Sequence, residues 1–396
     1  MQTKPESRAG LPEPDAESVA HSGRVAAHII DVIGQSGGSI SFAEYMQYAL
    51  YAPGLGYYSA GSKKLGADGD FVTAPEISPL FGRVLARQTA FVFEQLGSGS
   101  LLEPGAGSGA LAVSVLSKLD ELGALPDRYM ILEVSADLME RQETRIRSEC
   151  PQHFDRVEWI SKLPGDFTGV VIANEVADAI PVERFRIHDN EVMQARVATD
   201  GVNFTWQYVA APEQLRHAVR NIEADIGRTF TNGYESEVSL GLKNWVADLS
   251  NSVGEGAVLL IDYGLTRREY YAPERGQGWL RCHFRHHAHD DPLVLPGIQD
   301  LTAWVDFSTV ADAASDAGMT VAGYVTQAHL LMAGGLEEEF ADFTSLPVAK
   351  QIELSGQVKL LTLPAEMGEN FKCIGLCRGD ILLPPALVAS DRAHQL

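Results

Sequence analysis

The chain has 396 residues, of which 45% are hydrophobic and 21% charged, with a formal net charge of −22. That length provides for two domains or one elaborated domain around a sizeable core. The acidic balance argues against nucleic acid as a partner, since phosphate binding needs clustered Lys and Arg, and no apolar run reaches the roughly 18 residues of a membrane span.

Residues 1–17 are polar and rich in Pro and Glu. They lack the basic-then-apolar order of a signal peptide and the Arg-rich, acid-poor order of a transit peptide. They read as a disordered leader, and a cytoplasmic location is the expectation that follows. Ser18–Ile33 carries a helical apolar pattern stopped by Gly37-Gly38, and Ser41-Phe-Ala-Glu44 is a capping box opening a second helix. Tyr51–Ser78 is dense in Gly, Pro, Tyr and Asp; a loop that long inside a compact domain is usually functional or disordered, and its aromatics favour order. Ser78 then caps a helix over Pro79–Leu96.

From Ser100 strands and helices alternate. Strands are expected at Leu101–Glu103, Tyr129–Glu133, Val157–Ile160 and Gly169–Ala173, with helices at Gly109–Leu122 and Ala136–Glu149, as parallel βαβ units require. Arg184–His188, Glu191–Ala198 and Asn203–Val209 read as an antiparallel meander with polar turns at Asp189-Asn190 and Asp200-Gly201. Helices follow at Leu215–Ile226 and Val238–Ser250, then a buried strand at Gly256–Asp262, then loops rich in His, Arg and Asp over Tyr263–Asp306. Ser308–Gly318 and His329–Leu336 read as helical, Val321–Thr326 as a strand, Val348–Leu361 as an amphipathic helix and Asn370–Cys377 as a closing strand. The expected fold class is α/β, a doubly wound sheet with a helical N-terminal cap and a central insertion. Cys373 and Cys377 fall on one face of that last strand, about 13 Å apart, too far for a disulfide; with Cys150 and Cys282 they are expected as reduced thiols.

The chemistry concentrates around Gly99–Ala110, where a strand runs through Glu103 into Gly105, Gly107 and Gly109 and then a helix. Alternating glycines let the backbone turn sharply and approach a ligand closely. Read as Gly105-x-Gly107-x-x-Ala110 the loop fits the dinucleotide fingerprint; read as Glu103-x-Gly105-x-Gly107-x-Gly109 it fits S-adenosylmethionine. The pattern alone leaves both open. Glu133, ending the next strand, suits two ribose hydroxyls in either case. Strand Val170–Ala173 ends in Asn174-Glu175-Val-Ala-Asp178, an amide and two carboxylates at the carboxyl edge where open α/β sheets bind ligands. Hydride transfer usually wants a His, Lys, Tyr or Ser there, whereas paired carboxylates suit a methyl acceptor that is cationic or must lose a proton, such as a guanidinium held in a bidentate fork.

Gly69-Asp-Phe-Val-Thr-Ala-Pro-Glu-Ile-Ser78, Glu103-Pro-Gly-Ala-Gly-Ser-Gly109 and Ala173-Asn-Glu-Val-Ala-Asp-Ala-Ile-Pro181 resemble three signatures of the MidA-like family. Those are S-adenosylmethionine-dependent methyltransferases of bacteria and mitochondria, and the mitochondrial member is a complex I assembly factor that methylates an arginine. Ile261-Asp-Tyr-Gly264, Asp300–Phe307 and Met367–Lys372 are also similar, so the resemblance runs from Ile40 to Cys377. It implies a class I methyltransferase (Rossmann-like) sheet in residues 99–182 and 254–380, a cap with a cofactor-covering loop in 18–98, an inserted β-rich and helical subdomain in 183–253, and a tail in 381–396. It implies that Glu103, Gly105, Gly107 and Gly109 border the cofactor's methionine part, that Glu133 holds the ribose, and that Ser161 and Leu163 lie near adenine. Thr73, Glu76 and Ser78 would close over the cofactor, while Asn174, Glu175 and Asp178 would face the acceptor. The family often has two aromatics where this chain has Val176-Ala177, and commonly Arg at Ser108.

The implied function is methyl transfer from S-adenosyl-L-methionine to a protein arginine, with a respiratory-complex subunit or another basic protein as substrate. An NAD(P)-dependent oxidoreductase and a non-catalytic cofactor-binding assembly factor are the alternatives. Arg281-Cys-His-Phe-Arg-His-His-Ala-His-Asp-Asp291 has many metal-binding side chains but no recognisable zinc spacing; it reads as a loop facing substrate or a homodimer partner, and no metal is expected.

Overall fold

The computed structural model describes residues 10–59 and 72–396. Parts of the expected leader and of the covering loop, including Gly69–Phe71, lie outside the described residues. The chain divides into two units: residues 1–71, 178–242 and 267–304 form one, and residues 72–177, 243–266 and 305–396 the other.

The second unit is built on a mostly parallel sheet. In spatial order its strands are Thr320–Thr326, Phe371–Arg378, Val253–Leu265, Phe167–Asn174, Ser100–Pro104, Tyr129–Leu132 and Val157–Ile160. The last five run parallel, while Phe371–Arg378 is antiparallel to both neighbours. Val305–Asp306 adds a short parallel pairing to the end of Val253–Leu265. The chain steps outward from Ser100–Pro104 to Val157–Ile160, then jumps back to place Phe167–Asn174 on the other side of its starting strand. That reversal is the topological switch point where α/β folds bind ligands. The central strands read as unbroken apolar runs because both faces are covered: Val170, Val171, Ile172, Leu259 and Ile261 are all buried. Each such side chain contributes about 1.5–3 kcal/mol through removal from water.

Two helices set the carboxyl edge of this sheet. Ser78 caps Pro79–Leu96, its hydroxyl accepting the Leu80 N–H at 3.4 Å, and Phe81, Val84 and Leu85 join Leu111 and Val115 of Ala110–Glu121 in one core. Ala110–Glu121 starts directly at Gly109, which has no side chain to cap it. All four cysteines are free and buried, and desolvation pushes the Cys373 thiol well up.

The first unit packs helices against antiparallel sheets. Asp15 caps Ala16–Gln35 by accepting the Ser18 N–H at 2.8 Å, a bond that draws its carboxyl down to about 2. Ser41 and Glu44 form the expected capping box, with bonds of 3.1 and 2.8 Å. The meander is present as Glu183–His188, Glu191–Thr199 and Phe204–Ala210, and Ser39–Ser41 and Glu235–Val238 complete a five-stranded sheet. Asp189 and Asn190 both take positive φ, 50° and 65°, as a two-residue hairpin turn of the twist-matching kind requires.

Three expectations change. The segment from Val238 is not helical at its start: Glu235–Val238 is a strand, with Arg184, Arg186 and Tyr208 all bonded to Glu235 and the Trp279 N–H to Glu237. The stretch 263–306 is not loop throughout. Leu280–Phe284, His287–His289 and Asp300–Ala303 form a three-stranded sheet, turned at Arg285-His286 with φ of 48° and 62°. Val348–Thr362 is a helix that turns Leu354, Val358 and Leu361 to the core but leaves Val348 and Ile352 largely exposed, so its apolar residues are divided between core and solvent rather than gathered on one face.

Candidate cofactor and acceptor site

Gly105, Gly107 and Gly109 all have left-handed backbone, with φ of 64°, 54° and 83°. A side chain is disfavoured at all three positions, and a Cβ on Gly109 would stand 3.4 Å from Gln142 Cα. The result is a bare backbone cradle opening into a helix N-terminus, a place whose free N–H groups and dipole suit a polar or anionic group.

Glu103 lies just under this cradle. It is 3% exposed and its carboxyl accepts the Tyr129 hydroxyl at 2.5 Å. Burial pushes its pKa up to about 7, the tyrosine bond offsetting only part of that. Glu133 ends the neighbouring strand as expected, and it is buried and already engaged. Oε1 accepts the N–H groups of Val134 and Ser135 at 2.9 Å each, and Oε2 accepts Gln142 Nε2 at 3.1 Å. These bonds fix the carboxylate beside the loop.

Gln142 is a residue that sequence reading missed. Fully buried on the Ala136–Glu149 helix, it donates to the Gly107 carbonyl at 3.0 Å and to Glu133, and accepts the Trp159 indole N–H at 2.9 Å. It therefore joins the glycine loop, Glu133 and the strand Val157–Ile160. The available signal was periodicity: Gln142 shares the helix's buried stripe with Ile146, and a polar side chain on a buried stripe requires partners.

Of the residues expected to close over the cofactor, Thr73 and Ser78 bracket the short helix Ala74–Ile77, and Glu76 lies on it. The Glu76 carboxylate meets Arg145 Nη1 at 2.7 Å and the Ser108 hydroxyl in the glycine loop. Ser161 is exposed and Leu163 half-buried on the segment after Val157–Ile160.

At the end of Phe167–Asn174, Asn174 and Glu175 come together. Glu175 has a left-handed backbone, φ 53°, and its N–H donates to the Ile261 carbonyl at 2.9 Å. Its Oε1 accepts two bonds of 3.1 Å, from Asn174 Nδ2 and from the Ala74 N–H. Asn174 Oδ1, by contrast, is buried with no partner. Asp262, also missed as a site residue, pins the turn that follows: fully buried, it accepts the Ala177 N–H at 2.9 Å and the Tyr263 N–H at 2.8 Å. Asp178 opens a segment of the other unit, where it is buried and its carbonyl accepts the Ala303 N–H at 3.0 Å.

A cradle of bare backbone over a buried acid, with a second acid one strand away, is the equipment of a nucleoside-cofactor enzyme. Its kind is settled by comparison. The family described as S-adenosyl-L-methionine-dependent methyltransferase matches residues 84–325. The chain belongs to this family. It is an S-adenosyl-L-methionine-dependent methyltransferase, and the MidA-like resemblance holds along its length. A protein of Drosophila melanogaster named protein arginine methyltransferase NDUFAF7 homolog, mitochondrial, is 30% identical over 405 residues, covering 93% of this chain and 88% of that one. The Danio rerio protein arginine methyltransferase NDUFAF7, mitochondrial, is 30% identical over 369 residues, 85% and 82% of the two chains. A crystal structure from Burkholderia thailandensis bound to S-adenosyl-homocysteine superposes with a TM-score of 0.91 at 36% identity, covering 98% of this chain and all of that one.

These findings remove the oxidoreductase alternative. They also overturn the cytoplasmic location: the relatives from Drosophila melanogaster, Danio rerio and Mus musculus are named mitochondrial.

Proposed function

We propose that the methyl acceptor is the guanidino group of an arginine in a protein. In this reading Asn174, Glu175 and Asp178 face the acceptor, Glu103, Gly105, Gly107, Gly109 and Glu133 surround the cofactor with Ser161 and Leu163 near adenine, and Thr73, Glu76 and Ser78 cover it. Residues 99–182 and 254–380 carry the cofactor chemistry, with the substrate loops in 254–380 and residues 183–253 as an insertion. Relatives named as protein arginine methyltransferases support the substrate class.

The observation that carries the reading is Asn174. Its amide nitrogen is committed to the Glu175 carboxylate at 3.1 Å, which turns the unpartnered Oδ1 the other way. A buried acceptor left unpaired costs about 1–3 kcal/mol, and a guanidinium, which offers five N–H donors and no acceptor, is suited to satisfy it. Bound S-adenosylmethionine supplies a methyl already activated on a sulfonium, so positioning the acceptor provides most of the rate. Asn174 and Glu175 accept N–H bonds, orient the guanidino plane, and ease loss of a proton from the attacked nitrogen. A respiratory-complex subunit is the acceptor the resemblance implies, and a net charge of −22 suits any basic protein in that role.

The test is transfer of labelled methyl from S-adenosylmethionine into a mitochondrial or bacterial lysate, followed by mass spectrometry of the labelled proteins. Label on arginine is the expected result; label confined to small molecules, or to other side chains, overturns the reading. For Asn174→Ala, kcat should fall about 10-fold or more, the size of one lost transition-state hydrogen bond, with S-adenosyl-homocysteine affinity held. An unchanged kcat removes Asn174 from the acceptor site.

A further inference from the structure

The glycine loop has little with which to hold its own shape. Between Gly107 and Gly109, only Ser108 has a side chain that can anchor it, and that hydroxyl donates to the Glu76 carboxylate. Arg145 completes the group. Its Nη1 lies 2.6 Å from Ser108 Oγ and 2.7 Å from Glu76 Oε1, and the three side chains close a ring. Arg145 Nε reaches Glu149 at 3.1 Å, one turn along its own helix, which fixes the approach of the guanidinium.

Arg145 and Gln142 lie three residues apart on Ala136–Glu149, so they project from neighbouring positions of one helix. Gln142 takes the Gly107 carbonyl and Arg145 takes Ser108. The loop is thus gripped by one rigid helix at two successive residues, through its backbone and through its single anchoring side chain. The same guanidinium reaches the Ala74–Ile77 helix through Glu76, while Glu175 holds the first N–H of that helix from the acceptor end. The side chains of Arg145 and Glu76 are 29% and 15% exposed. At that depth, charge-assisted bonds are shielded enough to matter more than ordinary surface pairs.

We propose that Arg145 is a positioning residue for the cofactor: it holds the glycine loop and the Ala74–Ile77 helix in one arrangement, so that the cradle is formed before the cofactor arrives. This stands on the cofactor side of the site and is independent of which acceptor is methylated. A cradle already in place binds more tightly than one that must be ordered on binding. A purely structural ion pair would instead act on the stability of the chain as a whole.

The experiment is calorimetric titration of the full-length chain with S-adenosyl-homocysteine, with hydrogen exchange and thermal melting of the ligand-free protein. Arg145→Ala should weaken binding about 5- to 20-fold, the effect of losing one or two charge-assisted bonds, and should speed exchange of the amides at 74–78 and 106–110. Glu76→Gln, which keeps the shape of the carboxylate, should lose most of the same affinity. The double variant should lose little more than either alone, since both break one group. Arg145→Lys should recover part of the affinity. The ligand-free melting temperature should move by about 2 °C or less, as for a partly exposed pair. Unchanged affinity in Arg145→Ala and Glu76→Gln overturns the proposal. So do additive losses in the double variant, or an affinity loss that only tracks a large fall in melting temperature.

Discussion

Glu103 offers a sharp test of the site's electrostatics. Its carboxyl is buried with one hydroxyl donor, Tyr129, and its pKa stands at about 7 against an ordinary 4.5. Between those two pH values the folded chain keeps a proton that the unfolded chain releases. Glu103 therefore contributes nothing adverse below pH 4.5, lowers stability progressively as pH rises through the window, and reaches a constant cost above pH 7. The displacement corresponds to about 3 kcal/mol. Glu103→Gln keeps an acceptor for Tyr129 and removes the titration. The variant's unfolding free energy minus that of the wild type should accordingly grow by about 3 kcal/mol from pH 4.5 to pH 8. Urea unfolding of both proteins across that range, followed by tryptophan fluorescence, reads the difference directly, and effects of other carboxylates cancel between the two. A difference that stays flat with pH, or that grows toward acid, refutes the reasoning.

Two further substitutions probe the loop. Gln142→Leu leaves the Gly107 carbonyl, Glu133 Oε2 and the Trp159 N–H without their partner; at about 1–3 kcal/mol for each buried group left unsatisfied, it should lower the melting temperature clearly and weaken S-adenosyl-homocysteine binding in titration. Normal binding would show that the loop does not depend on it. Gly109→Ala places a Cβ on backbone with φ 83° and 3.4 Å from Gln142 Cα; a strain of about 1–2 kcal/mol should appear as roughly 10-fold weaker binding, and wild-type affinity would refute the need for a left-handed residue there.

The parallel sheet was legible because its strands are apolar runs separated by helical periods, and the glycine loop because three alternating glycines follow a strand. The meander was legible through its polar turns. What escaped were strands whose inward residues are polar. Glu235–Val238 buries Glu235, Ser236 and Glu237, which no hydropathy pattern reports, and their partners Arg184, Arg186 and Trp279 lie far off in the chain. Leu280–Phe284 alternates Arg281 and His283 with buried neighbours and so looked like a charged loop. At the site, residue types were readable but their employment was not. Glu175 was expected, with Asn174 and Asp178, to face the acceptor, and nothing in the sequence signals that its carboxylate accepts the first N–H of a helix 101 residues earlier. Arg145 and Gln142 gain their meaning only from the residues that the fold brings beside them.

The central strand Val253–Leu265 has a kinetic consequence. Gly256 is paired on one side with Gly169 and on the other with Arg378. Contacts so distant along the chain are slow to form, and during synthesis the second of them waits until Arg378 has emerged. Until then the apolar run Ala257–Ile261 has one open edge, of the sort that invites wrong partners. The glycine loop is translated long before the sheet whose edge gives it a fixed floor is completed by Phe371–Arg378, so loss of that strand should disable a cofactor site whose own residues are all present.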